Sequence, residues 1–594
     1  MRHRRPTALA ATATLALTLA PAVPAQADRA TPAWVAAGYG GAVSTVDATA
    51  TAVGLDVLRR GGNAVDAAIA AAATLGVTEP FSAGIGGGGF FVYYDAGTRR
   101  VETIDGREAA PAAATSTLFV DPATGRPYAF DEARFSGLSV GVPGTLQTWR
   151  AALARWGSRP LSSLLRPAAD VADRGFTVDA TFRSQVAANA AAFAQFPATA
   201  ELYLPGGAPP AVGSVQRNPD LADTYRLIAR RGVDVFYRGS VAADIVRTVQ
   251  RPPAESTPDW AYPIRPGALT VGDLARYRVR LPAPTRSEYR GMQVYGMAAP
   301  SSGGTAVSEA LNIIEKADGP VLHRYLEASA LAFADRNRYV GDDTPRRVLR
   351  ELASEGFARE RACLVGDRAL PKPVAPGVPD GRYAQCPAGA APTAAPDRGT
   401  STTNLTVADR WGNVVEYTFT IEATGGNAMV VPGRGFLLNN ELTDFNFAPT
   451  QGTAADPNLP GPGKRPRSSM SPTIVLRDGR PVLALGSPGG ATIITTVLQL
   501  LVNRYELGMS LPEAMAAPRA SQRNSAEIET EAAFRARYGP QLEALGHRFR
   551  AADTAELGAA TAIEFRRGGR MIAVAEPSRR GGGAAGVVAR AGHR

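Results

Sequence analysis

Histidine, lysine and cysteine are scarce in this 594-residue chain. The four histidines are His3, His323, His547 and His593. His3 falls in an N-terminal processing segment and His593 is the penultimate residue. A mechanism that needs a dedicated histidine base therefore has only His323 and His547 to draw on. With two cysteines beside them, the set is too small for a zinc site, and no metal is expected. Cys363 and Cys386 are an even pair in a chain that reads as exported, which favours a disulfide between them over a nucleophilic thiol or a metal ligand. Of the 64 basic residues, all but Lys316, Lys372 and Lys464 are arginine, and the net charge is +10. No dense basic block with interleaved aromatics occurs, so a nucleic-acid interface is not expected. Beyond the N-terminal segment no apolar run approaches the ~20 residues of a membrane span. No internal repeat of fixed period is present.

What the chain does have is ordinary globular composition, 45% apolar and 20% charged, with length for several domains or one large two-subunit core. Met1–Arg5 is a basic lead, an Ala/Leu/Thr-rich stretch runs to about Leu19, and Ala25-Gln26-Ala27 is a small-x-small cleavage site. Residues 1–27 read as a signal peptide, so the mature product is expected to begin at Asp28 and to be secreted. Ala64–Leu75 is rich in helix formers after the turn Gly61-Gly62-Asn63, and Phe90–Tyr94 reads as a buried strand after a glycine cluster. From Pro371 to about Ser401 the chain turns Pro/Gly/Ala-rich, which suits a flexible lead or linker. Regular pattern then resumes. Asn404–Ala408 and Val414–Ile421 read as a strand pair, as do Thr473–Leu476 and Val482–Leu485, with a helix from about Ile493 to Asn503.

Two residues compete as nucleophile. Gly137-Leu138-Ser139-Val140-Gly141 is a formal G-x-S-x-G, but Pro143-Gly144 breaks the helix that should follow such an elbow, and a tight loop is the expected structure. Thr402 lies where the flexible lead meets the first strand of the C-terminal part. A threonine exposed by scission of the preceding bond acquires an α-amine of pKa ~7.7–8.0 beside its own hydroxyl, and so needs no histidine.

Thr402-Thr403-Asn404-Leu405-Thr406, followed by Asp409-x-x-Gly412-Asn413, resembles the start of the small subunit of γ-glutamyltransferases. The strings GGNAVDAAIA (Gly61–Ala70), GIGGGGF (Gly84–Phe90), DGREAAP (Asp105–Pro111), SVGVPG (Ser139–Gly144), GFLLNNELTDF (Gly435–Phe445), KRPRSSMSPT (Lys464–Thr473), GSPGG (Gly486–Gly490) and EPSRRGGG (Glu576–Gly583) follow in that family's order. The resemblance implies an α+β, four-layer αββα sandwich of the N-terminal-nucleophile hydrolase type, formed by two subunits cut from one precursor. It implies cleavage between Ser401 and Thr402, giving a large subunit of residues 28–401 and a small catalytic subunit of residues 402–594. Thr402 would then attack γ-glutamyl amides such as glutathione and pass the acyl group to water or to amino acids and peptides, without metal or organic cofactor.

The same resemblance assigns roles by position. Thr420 would orient Thr402, and the N–H groups of Gly489 and Gly490 would hold the oxyanion. Arg107, Ser468 and Ser469 would bind the substrate α-carboxylate, and Glu441 and Asp444 its α-ammonium. Glu422 stands where much of the family has Asn and is expected either to point elsewhere or to carry a proton. Asn404 stands where better-known members have His. The Pro/Gly-rich stretch Asn446–Gly463 corresponds to a lid and looks short, which implies a more open site. A glutaryl-amide acylase of the same fold and a serine esterase using Ser139 are the alternatives.

Overall fold

In Thr403–Asp409 and Val414–Thr420 successive side chains face opposite ways, as the two-residue period of a strand requires. Leu405, Val407, Val415, Tyr417 and Phe419 join one hydrophobic cluster, while Ala408 and Val414 join another on the opposite face. Both faces are therefore covered, and every residue of the two strands is buried. The computed structural model describes residue 1 and residues 34–255, 260–383 and 401–589.

The two strands are the centre of a six-stranded antiparallel sheet, ordered Ala584–Val587, Gly41–Thr45, Thr403–Asp409, Val414–Thr420, Gly88–Asp95, Arg100–Gly106. A seven-stranded antiparallel sheet runs Val35–Gly38, Met571–Ala575, Thr561–Phe565, Arg480–Gly486, Thr473–Arg477, Met292–Gly296, Thr285–Tyr289. Ala42, Val92, Tyr94, Ala408 and Val414 of the first sheet meet Ile474, Leu476, Ala484, Ile563 and Ala573 of the second in the cluster between them. Helices cover the outer faces. On the first sheet lies Ala64–Thr78, started by a capping box of Asn63 and Asp66 and buried along its whole length because a further helix, Leu161–Arg174, packs over it. Gly303–Lys316 and Thr492–Tyr505 cover the second sheet. These four layers are the αββα sandwich expected from the sequence. Each sheet takes strands from both sides of Thr402, so a cut there would leave two interleaved pieces rather than two separable domains.

Of the Pro/Gly/Ala-rich stretch from about residue 371, the described part, as far as Tyr383, is held by side-chain contacts. Lys372 Nζ lies 2.6 Å from Glu327 Oε1. Val374 exchanges hydrogen bonds with Asn524 at 2.6 and 2.9 Å. Ala375 accepts from Arg361 at 2.9 Å and Gly377 from Tyr339 at 2.7 Å. Proline removes donors but leaves carbonyl acceptors, and those carbonyls are what neighbouring side chains hold. Cys363 is disulfide-bonded; Cys386, its expected partner, and the signal-peptide segment lie outside the described residues. Among the described residues no helix is long and apolar enough to cross a membrane.

Candidate active site

Thr402 stands at the head of the central strand, buried with Ser401 before it. The Thr402 hydroxyl donates to the Ser401 carbonyl oxygen. The Thr420 hydroxyl donates to the same oxygen at 3.0 Å, and the two hydroxyl oxygens are 3.4 Å apart. The Glu422 N–H donates to Thr420 Oγ1 at 2.8 Å, which leaves the Thr420 proton aimed at Ser401. On the other flank Arg580 donates to the Thr402 carbonyl at 2.6 Å and is itself held by Glu79 at 2.7 Å and Ser82 at 2.5 Å. Glu422 and Arg580 both have positive φ, 82° and 55°, a conformation that costs a non-glycine residue ~1–2 kcal/mol and that concentrates at functional sites.

A single pocket brings together Ser401, Thr402, Thr420 and Gly490. The same pocket is lined by Arg107, Glu422, Glu441 and Asp444, and by Ser468 and Ser469. Gly489 adjoins it in the chain. Gly489 and Gly490 have φ of 135° and 56° and lie just before the helix Thr492–Tyr505, so they occupy the positive end of its dipole. A Cβ on Gly489 would come within 2.6 Å of Thr492 Oγ1, which itself donates to the Gly489 carbonyl at 2.7 Å.

Arg107, to which the resemblance gives the substrate α-carboxylate, is paired in this structure with two acids. Its guanidinium forms ion pairs with both Glu441 and Asp444, and donates further to the carbonyls of Pro466 and Arg467, each at 3.2 Å. Its side chain is 1% exposed and that of Glu441 0%. Burial works to lower the Arg107 pKa, but Glu441, Asp444 and Glu108 outweigh it and hold the group charged. Burial pushes Glu441 and Asp444 up, against the pull of Arg107. It pushes Glu108 up to about 8.

Residues 50–587 match the family model described as Gamma-glutamyltranspeptidase. The chain is 37% identical over 557 residues to the glutathione hydrolase proenzyme of Bacillus subtilis (strain 168), covering 92% of this chain and 91% of that one. It is 36% identical to the glutathione hydrolase proenzyme of Escherichia coli (strain K12), covering 81% and 80%. Among solved structures it superposes on the cephalosporin acylase from Bacillus halodurans with a TM-score of 0.79 at 27% identity, covering 97% of this chain and 100% of that one. The chain belongs to the γ-glutamyltranspeptidase family. It is an enzyme of the N-terminal-nucleophile hydrolase class, and the αββα fold is that class's fold.

Sequence reasoning missed the residues that flank this γ-glutamyltranspeptidase site from elsewhere in the chain. Arg580 belongs to the matched string EPSRRGGG, but nothing in that string says that its arginine reaches Thr402. Glu79, Ser82 and Arg336 carry no local signal. Glu422 does line the pocket. Its Oε2 accepts from Asn440, and burial together with Asp444 and Glu441 pushes its pKa well above the usual carboxylate range. Of the two expectations for Glu422, that it carries a proton fits this setting. From the stretch 446–463 only Asn446 reaches the pocket lining. The loop is tied to itself through Asp456, which accepts from Asn446 at 2.9 and 3.0 Å and from Thr450 at 2.9 Å.

Ser139 is buried and donates to the carbonyls of Arg134 at 2.8 Å and Ser136 at 3.0 Å, the loop structure expected of it. His323 and His547 bond each other at 2.8 Å. With Glu327 they bring one ligand atom each within 4.8 Å. The Lys372 ammonium, 2.6 Å from Glu327, already places a positive charge where a cation would have to bind.

Beneath Thr402 a polar column fills the space between the sheets. Asn404 donates to Glu416 at 2.6 Å and to Thr561 at 2.8 Å, and accepts from Thr418 at 2.5 Å. The column needs Gly486, where a Cβ would come within 2.4 Å of both Asn404 and Glu416. Burial, with only neutral hydrogen bonds to oppose it, pushes Glu416 well above the usual carboxylate range. An acid whose folded pKa is raised binds more protons folded than unfolded. Its stabilisation is therefore complete below the unfolded value, ~4.3, and is lost as pH rises through the folded one. The expected result is a melting temperature that falls as pH rises from 5 to 9. In Glu416→Gln, which keeps shape and neutrality, that fall becomes shallower; parallel profiles from differential scanning calorimetry would contradict this account.

Proposed function

We propose that the protein is a secreted γ-glutamyl hydrolase and transferase that matures by cutting itself between Ser401 and Thr402. The Thr402 hydroxyl attacks the Ser401 carbonyl carbon while Thr420 polarises its oxygen. The resulting ester is hydrolysed, and the large subunit of residues 28–401 and the small subunit of residues 402–594 stay together as a heterodimer. The freed α-amine then serves as base for the Thr402 hydroxyl, which takes the γ-glutamyl group from glutathione or a similar amide. Gly489 and Gly490 stabilise the oxyanion, a contribution of about 2.7–4 kcal/mol per donor in comparable sites. Water or the amino group of an amino acid or peptide releases the acyl group.

The observation that carries the substrate reading is the ion triad of Arg107 with Glu441 and Asp444. A zwitterion replaces both halves of it, its carboxylate taking Arg107 and its ammonium taking the two acids. A glutaryl group replaces only one half and leaves two buried acids without a cation. Breaking one side of a buried pair costs about 3–5 kcal/mol, offset in part by proton uptake on the acids. A protonated Glu422 can still offer the ammonium an acceptor lone pair and adds no third negative charge.

The likeness to a cephalosporin acylase favours a second reading, cleavage of glutaryl amides. The two are separated by comparing anilides. The expected kcat/KM for the γ-glutamyl anilide exceeds that for the glutaryl anilide by about 10²-fold; the reverse order would replace the first reading with the second. Denaturing electrophoresis with N-terminal sequencing should show two fragments, the smaller beginning Thr402-Thr403-Asn404-Leu405.

A further inference from the structure

The pocket wall holds a second guanidinium. Arg336 lies in the last turn of the helix Val321–Tyr339, is 6% exposed and lines the pocket with Ser468 and Ser469. Its Nε donates to Ser302 Oγ at 3.0 Å, one terminal nitrogen to Asn337 Oδ1 at 2.9 Å, and the other to Ser469 Oγ at 2.7 Å. Ser302 in turn donates through its N–H at 2.7 Å and its hydroxyl at 2.6 Å to the Ser468 carbonyl. Arg336 is thus joined to both serines, to one directly and to the other through Ser302.

A guanidinium can only donate. Ser469 Oγ must therefore accept from Arg336, and its single proton is left to point elsewhere. We propose that Arg336 is a positioning residue that fixes Ser469 as a hydrogen-bond donor into the pocket, and so selects acyl donors that carry an α-carboxylate. This rests on the γ-glutamyl reading and deepens it. With Asn or Gln in place of Arg336 the serine could turn round and give its proton to the amide oxygen. The guanidinium has no acceptor to take the serine proton, so the proton stays available to the pocket, and an anion is the group that profits. Arg336 also acts on Asp444, opposing with Arg107 the upward push of burial on its pKa.

Three anilides test this. L-γ-Glutamyl anilide carries carboxylate and ammonium, glutaryl anilide carboxylate alone, and 4-aminobutyryl anilide ammonium alone. In Arg336→Met the KM for the first two is expected to rise about 10-fold, as for loss of a hydrogen bond to a charged group, with kcat little changed. The kcat/KM for the third should stay at the parent value. Arg336→Lys, which still donates, should recover part of the loss. Ser469→Ala should reproduce the same donor-selective pattern, and adding Arg336→Met to it should change nothing further. Equal losses on all three anilides, an unchanged KM, or full additivity of the two substitutions would each overturn the proposal. If Arg336→Met fails to yield two fragments, the Ser469→Ala and Arg336→Lys profiles carry the same test. A parent enzyme that cleaves none of the three anilides refutes the γ-glutamyl reading itself. A parent that cleaves them, with variants of unchanged selectivity, refutes only the role of Arg336.

Discussion

Thr402→Ala leaves the protein as one uncut chain and lowers turnover of a γ-glutamyl anilide by about 10⁴–10⁶-fold, the scale of removing a catalytic nucleophile. Both losses have one cause. The hydroxyl that donates to the Ser401 carbonyl oxygen is, in the proposed mechanism, the group that attacks that carbonyl. Without it the peptide bond persists, and the α-amine that would serve as base stays locked in an amide. Folding should be unaffected, because the methyl group of alanine fits wherever the threonine side chain fits and the Thr402 carbonyl still meets Arg580. Thr402→Ser separates the two requirements. It keeps the hydroxyl and, once cut, the amine, so it should mature and turn over at a reduced rate. Intact-mass spectrometry and initial rates measure both. If Thr402→Ala matures into two pieces, or hydrolyses the anilide at a rate near the parent's, the nucleophile lies elsewhere.

The strands around Thr402 were legible because their pattern is local. The turn at Asp409–Asn413 and the apolar runs on either side mark Asn404–Ala408 and Val414–Ile421 as a strand pair, and Thr403–Asp409 does pair with Val414–Thr420. The helix after Gly489-Gly490 was legible for the same reason, apart from its ends. Individual pocket residues were legible through the family resemblance, which located Arg107, Glu441, Asp444, Ser468 and Ser469 in one cavity. Their state was not. That Arg107 is already paired by the two acids follows from burial, which makes an unpaired guanidinium or carboxylate costly when no substrate is bound. No sequence pattern encodes that. Arg336 and Arg580 escaped notice because each reaches the site from a remote part of the chain, through contacts that only the closed sandwich creates. In the Pro-rich stretch from residue 371 composition reports which donors are missing, not which carbonyls a neighbour will hold.

Arg107→Leu should lower kcat/KM for the γ-glutamyl anilide by about 10²–10³-fold while leaving maturation intact. Truncating one partner of a buried, hydrogen-bonded charge pair costs about 2–5 kcal/mol. Here the loss falls on binding in two ways. The donor's carboxylate loses its fork, and Glu441 and Asp444 lose the cation that opposes the upward push of burial on their pKa. They then bind protons and stop attracting an ammonium. Arg107 touches neither Ser401 nor Thr402, so the cut between them should still occur, and the two fragments on a gel double as proof of folding. Arg107→Lys keeps a charge but offers no planar fork to two carboxylates at once, and should fall between parent and Leu variant. Raising the pH should recover part of the activity of Arg107→Leu, since deprotonating Glu441 and Asp444 restores the negative half of the site. The parent, in which Arg107 opposes the upward push of burial on both acids, should show a smaller recovery. A Lys variant with parental KM would mean that charge alone is read at this position. A Leu variant with parental kcat/KM would mean that the α-carboxylate is bound by other groups, with Ser468, Ser469 and Arg336 the residues to examine next.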